Sequence, residues 1–199
     1  MQKELIYMTK EIDFYFDFIS PYTYLAYKKI KSLPKDIKIN YKPILLGGLH
    51  NLEGITAPAF IKPKLKHMVS DCNLTAKKNK SNFIWNSKFP INSLNIMRGY
   101  LYINAEKKDL YLDIMFDAYW KDNLDISNEG ILKNLLEKCK IEAISFFNGI
   151  KDTKIKDELK SVTQEAHDKE IFGAPTFVVN DKIFWGQDRL EFALDEYKK

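Results

Sequence analysis

Sulfur is scarce in this chain. Two cysteines, Cys72 and Cys139, stand in 199 residues. They lie far apart and have no partner at metal-ligand spacing, which excludes a disulfide scaffold and points to reduced thiols in a cytoplasmic protein. Arginine is almost missing: all but Arg98 and Arg189 of the 31 basic residues are lysine, and acidic residues hold the formal net charge to +4. A nucleic-acid surface would cluster its basic residues and use arginine forks on phosphates and base edges, so no nucleic-acid partner is expected. No apolar run approaches the ~18 residues of a membrane span, and the opening MQKELIYMTK has no apolar core of a secretory signal. The three histidines, His50, His67 and His167, form no H-x-x-x-H pair, and no metal is expected. With only 8 glycines and 7 prolines against 45% hydrophobic residues, the chain reads as an ordinary globular protein.

Residues 12–19, I-D-F-Y-F-D-F-I, alternate aromatic and apolar side chains with Asp13, Tyr15 and Asp17, which predicts a strand. The period then changes. Tyr22, Leu25, Ala26, Ile30 and Leu33 follow helical spacing, with Ser20 at the N-cap, Pro21 at the first helical position and Leu33-Pro34 ending the run. A second strand, Ile37 to Lys42, closes at Pro43 and completes a β-α-β crossover unit. From about residue 59 to 170 the apolar spacing is helical, with breaks near Ser87–Pro90, Asp122–Ser127 and Asn148–Gly149. Residues 176–185 return to strand character around a turn at Asn180–Lys182. A last helix starts near Asp188, with Glu191 three residues on as capping partner and Leu190, Ala193, Leu194 and Tyr197 as its buried stripe. This order predicts an α/β protein: a thioredoxin-like domain from 12–45 and 171–199, a large all-helical insertion at 46–170, and a leader at 1–11. The two thioredoxin-like halves must share one sheet.

The segment F-D-F-I-S-P-Y-T-Y-L-A at 16–26 resembles the active-site strand and helix of 2-hydroxychromene-2-carboxylate isomerases, relatives of kappa-class glutathione transferases and DsbA-like oxidoreductases. P-I-L-L-G-G at 43–48, F-P-I-N-S-L at 89–94, F-G-A-P-T-F-V-V at 172–179 and F-W-G-Q-D-R-L at 184–190 fit as well. Ser20-Pro21-Tyr22-Thr23 occupies the turn where oxidoreductases of this fold carry Cys-x-x-Cys, so dithiol exchange is impossible there. The resemblance implies glutathione as cofactor, with Ser20 donating a hydrogen bond to its thiolate at a helix N-terminus. From spacing alone, Ser20 reads as a helix cap.

The resemblance further implies that Pro175 is cis and faces that helix. The Ala174 backbone would pair with the cysteinyl backbone of glutathione. Asp188 and Arg189 would face its γ-glutamyl end, and Lys64 would meet the glycyl carboxylate. A proline opening an edge strand, a helix cap at Asp188 and a solvated Lys64 are the structural alternatives. Tyr22, Phe89, Pro90, Asn92 and Trp185 would border the substrate pocket, against core packing as the plainer role. Arg98 is the candidate for a substrate carboxylate, against an ordinary ion pair. One departure stands out: Gly54-Ile55 replaces the family's Gly-Asn and removes a polar contact to glutathione.

The implied reaction is reversible thiolate addition to a small aromatic or unsaturated substrate, rotation about the resulting single bond, and elimination. A kappa-like transferase and a redox-inactive binding module are the alternatives. The relatives imply a homodimer, and no membrane partner is expected.

Overall fold

A computed structural model describes residues 10–199. The leader expected at residues 1–11 therefore lies almost wholly outside the described residues. Strand β1 (Ile12–Phe16) runs parallel to β2 (Ile39–Pro43) and antiparallel to β3 (Thr176–Val179), which pairs antiparallel with β4 (Lys182–Trp185). The sheet order is β2-β1-β3-β4, so the two ends of the chain share one sheet through β1 and β3. Asn180 and Asp181, both at positive φ, make the two-residue turn between β3 and β4 that right-twisted hairpins favour.

Nine α-helices are described: α1 (Pro21–Ile30), α2 (Leu46–Leu52), α3 (Lys62–Lys78), α4 (Leu94–Tyr102), α5 (Ala105–Trp120), α6 (Glu129–Lys138), α7 (Ala143–Gly149), α8 (Thr153–Asp168) and α9 (Leu190–Tyr197). A 3₁₀ turn at Pro58–Phe60 precedes α3. At the starts of α6, α7 and α8 a side chain accepts from the first free N–H groups. Asn128 accepts from Ile131, Glu142 from Ile144 and Ser145, and Asp152 from Lys154. None of the described helices is long and apolar enough to cross a membrane.

The alternating strand is shorter than its pattern, and Tyr15 and Asp17 on its polar side do not face water. Phe14, Phe16 and Phe18 enter the main core with α1, α5 and α9, while Tyr15 packs with Ile44, Leu49, Ala166 and Ile171 under α2 and α8. Asp17, on the same side as Tyr15, is fully buried. Helix α8, inside the segment expected as an insertion, lies against β2 and α2. Both faces of the sheet are therefore covered. Helix α1 stops at Ile30 rather than Leu33, and α9 begins at Leu190 with no side-chain cap bond from Asp188. On α9, Leu190 and Ala193 are buried as expected, joined by the carboxylate-bearing Glu196, while Leu194 and Tyr197 are only partly covered.

Candidate active site

Ser20 sits at the N-terminus of α1 with extended backbone, and its Oγ accepts from the Thr23 N–H at 3.2 Å. The same hydroxyl donates to the Ala174 carbonyl, 2.9 Å away and 154 residues later in the chain. The cap and the contact to the distant loop thus coexist in one group, using one lone pair and the only proton. Ser20 is 4% exposed. Beside it, Thr23 Oγ1 is buried with no hydrogen-bond partner in the described structure.

Three bonds fix the turn that delivers Ser20. Trp120 Nε1 donates to the Phe18 carbonyl at 2.8 Å. Asp17 Oδ1 accepts from the Ile19 N–H at 3.1 Å, and the Ser20 N–H donates to the Asp17 carbonyl at 3.2 Å. Asp17 Oδ2 reaches the other way, accepting from Leu46 N–H at 2.9 Å and Ser93 Oγ at 3.1 Å. One carboxylate therefore joins the end of β1 to the starts of α2 and α4. Burial raises its pKa from 3.8 to about 6, opposed by these hydrogen bonds. Neither Asp17 nor Trp120 emerged from sequence reading. The available signal was an acid placed among aromatics three residues before Ser20.

Across from Ser20, the Ala174–Pro175 bond is cis. The loop is held by Thr176 Oγ1 donating to Gly173 O at 2.7 Å and Gly186 N–H donating to Pro175 O at 2.9 Å. Trp185 closes over Gly173, where a Cβ would lie 2.7 Å from the indole Nε1. The indole is 53% exposed and pairs with Phe172, 42% exposed, at 5.0 Å between ring centroids. Trp185 is therefore a surface aromatic beside the Ala174 loop, not core. Phe172 was not anticipated as its companion.

The other expected residues spread around this centre. Tyr22 is half-buried against α3, where burial and then Cys72 and Asp71 raise its pKa. Phe89 packs on Trp85 and Trp120, and the exposed Pro90 follows it through a cis bond. Asn92 is exposed and accepts from the Leu94 N–H at 3.0 Å. Lys64 is exposed on the first turn of α3. Asp188 and Arg189 form an exposed ion pair at 3.3 Å, and Arg189 stacks over Phe192. Asp188 also lines a cleft with Lys29, Gln187 and Glu191. Arg98 stands apart, lining a different cavity with residues of α2 and α8. Both cysteines are free and buried, and burial pushes the Cys72 thiol up to about 12 and Cys139 up to about 11.

A buried hydroxyl thus stands at the start of a helix and faces an Ala-Pro loop. A family model described as DSBA-like thioredoxin domain matches residues 11–198. The chain belongs to the DSBA-like thioredoxin family. Within that family it is 29% identical over 194 residues to 2-hydroxychromene-2-carboxylate isomerase of Sphingobium xenophagum, covering 96% of this chain and 98% of that protein. It is 27% identical to glutathione S-transferase kappa 1 of Caenorhabditis elegans, over 92% of this chain and 89% of that one. A solved 2-hydroxychromene-2-carboxylate isomerase superposes with a TM-score of 0.84 at 26% identity, covering 92% of each chain. The thioredoxin fold expected from the order of elements, and the DsbA-like relation that the resemblance implied, are thereby shown.

Proposed function

We propose that this DSBA-like protein is a glutathione-dependent isomerase of the 2-hydroxychromene-2-carboxylate type, with Ser20 holding the thiolate. The observation that carries this reading is the Ser20 hydroxyl at the N-terminus of α1, 2.9 Å from the Ala174 carbonyl. Similarity to isomerases along nearly the full chain supports it.

The residues present suit a thiol tripeptide. No sulfur stands at positions 20 or 23 to compete for redox chemistry. The Ser20 proton already has an acceptor in the Ala174 carbonyl, so turning it to a thiolate exchanges a neutral acceptor for a charged one. That exchange gains about 1–1.5 kcal/mol, the difference between a charge-assisted and an ordinary hydrogen bond. The helix dipole adds about 0.3–1 kcal/mol. Together they lower a bound thiol by about one to two pKa units. Glutathione, when bound, supplies the nucleophilic sulfur for reversible addition to an unsaturated substrate. Ala174 offers backbone for the cysteinyl segment, and Asp188 and Arg189 offer opposite charges for the γ-glutamyl end. Lys64 offers a cation for the glycyl carboxylate. Tyr22, Phe89, Pro90, Asn92 and the exposed Trp185 border the substrate side.

Ser20→Ala is the test. Turnover of 2-hydroxychromene-2-carboxylate with glutathione falls about tenfold to hundredfold, the loss of one charge-assisted hydrogen bond. Glutathione affinity by calorimetry changes little, and stability drops by about 0.5–2 kcal/mol from the lost cap. The thiolate absorbance of the glutathione complex titrates at higher pH in the variant. An unchanged midpoint leaves Ser20 as a cap alone. A wild-type protein that binds no glutathione at millimolar concentration is a binding module instead, and an accumulating thioether identifies a kappa-like transferase.

A further inference from the structure

Arg98 sits on α4 and lines a cavity of about 500 Å³ where α2, α4 and α8 meet. The lining includes neither Ser20, the Ala174–Pro175 loop, Phe89 nor Trp185, while Leu45 and Leu94 adjoin Leu46 and Ser93, the partners of Asp17. Its volume falls within the ~300–1,000 Å³ typical of small-molecule sites. Leu45, Leu94 and Leu159 supply apolar wall, and Arg98, Lys156 and Lys160 supply positive charge. No Asp or Glu lines it.

Two of the three cations, Arg98 and Lys156, lack matching anions among the described residues. Arg98 is partly buried and its Nε is enclosed without a hydrogen-bond partner in the described structure. Neither Arg98 nor the half-buried Lys156 has an acidic group within 4.0 Å among the described residues, and Lys160 has only the exposed Asp157 at 3.6 Å. A guanidinium removed from solvent without an anion is costly, whereas its planar N–H edge suits a carboxylate in bidentate fashion. In a chain whose other basic residues are nearly all lysine, this is one of two places that holds arginine.

We propose that this cavity is a second ligand site, for an organic monocarboxylate with an apolar body such as an aryl carboxylate. The carboxylate pairs with Arg98, Lys156 and Lys160 reinforce it from α8, and the ring or acyl body lies on the leucine wall. The site is independent of the Ser20 reading and stands or falls separately.

Titration calorimetry of the full chain uses 1-naphthoate as probe. Its neutral counterpart 1-naphthalenemethanol and inorganic phosphate isolate the apolar and ionic contributions. Naphthoate binds one per chain, and both controls bind more weakly. Arg98→Gln weakens naphthoate about tenfold to hundredfold, with a smaller loss in the double variant Lys156→Gln, Lys160→Gln. Ser20→Ala binds it as wild type does. Absence of naphthoate binding at millimolar concentration overturns the proposal. So does unchanged affinity in a folded Arg98→Gln, or in the double variant should Arg98→Gln not fold. Phosphate or the alcohol binding as tightly as naphthoate, or loss of binding in Ser20→Ala, also overturns it.

Discussion

Two buried carboxylates hold opposite ends of this sheet by opposite means. Asp17, fully buried at the end of β1, accepts from Ile19, Leu46 and Ser93 and has no cation within 4.0 Å among the described residues. Glu196, 7% exposed on α9, accepts from Asn180 and pairs with Lys182 at 3.0 Å and Lys199 at 2.9 Å, tying the helix to the β3–β4 turn. Burial dominates at Asp17 and raises its pKa to about 6; at Glu196 the two lysines and Asn180 win and lower it to about 2. Neutral donors satisfy a carboxylate's geometry without repaying its desolvation, while cations at the rim do both. The turn that carries Ser20 is thus held by the more demanding of the two arrangements.

The largest expected effect comes from breaking the Asp17 side. Asp17→Ala strands three donors from three elements, at about 1–3 kcal/mol each where they stay dry. A loss of at least about 3 kcal/mol in denaturant unfolding is expected, with the proposed isomerase activity falling as the Ser20 turn loosens. A loss below 1 kcal/mol would show that water replaces the carboxylate. The equivalent Glu196→Ala leaves activity unchanged.

Acid sharpens the contrast, because the two groups have opposite signs. The Asp17 pKa is raised on folding, so its contribution to stability is complete below its unfolded value near 3.8 and is lost as pH rises through about 6. Lowering the pH from 7 to 5 therefore stabilises wild type by about 1 kcal/mol relative to Asp17→Asn. Glu196 is depressed, so its contribution is present above 4.5 and is lost as pH falls toward about 2. Melting curves of wild type, Asp17→Asn and Glu196→Gln across this range test both signs. Parallel curves for all three would remove the assignments.

The smallest effect is expected from salt. Lys182 and Lys199 are largely exposed, so molar salt screens their pairing and narrows the stability gap between wild type and Glu196→Gln. The gap for Asp17→Ala does not respond, since no ion pair among the described residues is involved there.

Legibility followed the same divide. The Ser20 cap, Pro21, the two-residue turn at Asn180–Asp181 and the helices with side-chain caps are local events written in adjacent residues. The burial of Asp17 was not legible because alternation reports which side a residue takes, not what covers that side. Helices α2 and α8 come from remote sequence and bury it. Asp188 misled in reverse, since its spacing to Glu191 suits a cap, yet its carboxylate pairs with Arg189 while α9 begins at Leu190. Arg98 stood out by composition, but nothing in its neighbours indicated the cavity it lines.

The order of strands and helices, the serine at the head of α1 and the missing dithiol pair are determined by the sequence alone, because periodicity, caps and residue chemistry act over a few residues. The meeting of the Ser20 hydroxyl with the Ala174 carbonyl, the burial of Asp17 beneath α2 and the separation of Arg98 from Ser20 were decided only by tertiary structure. Each depends on which distant surfaces pack together, and that packing is governed by buried area and hydrogen-bond closure across the whole chain.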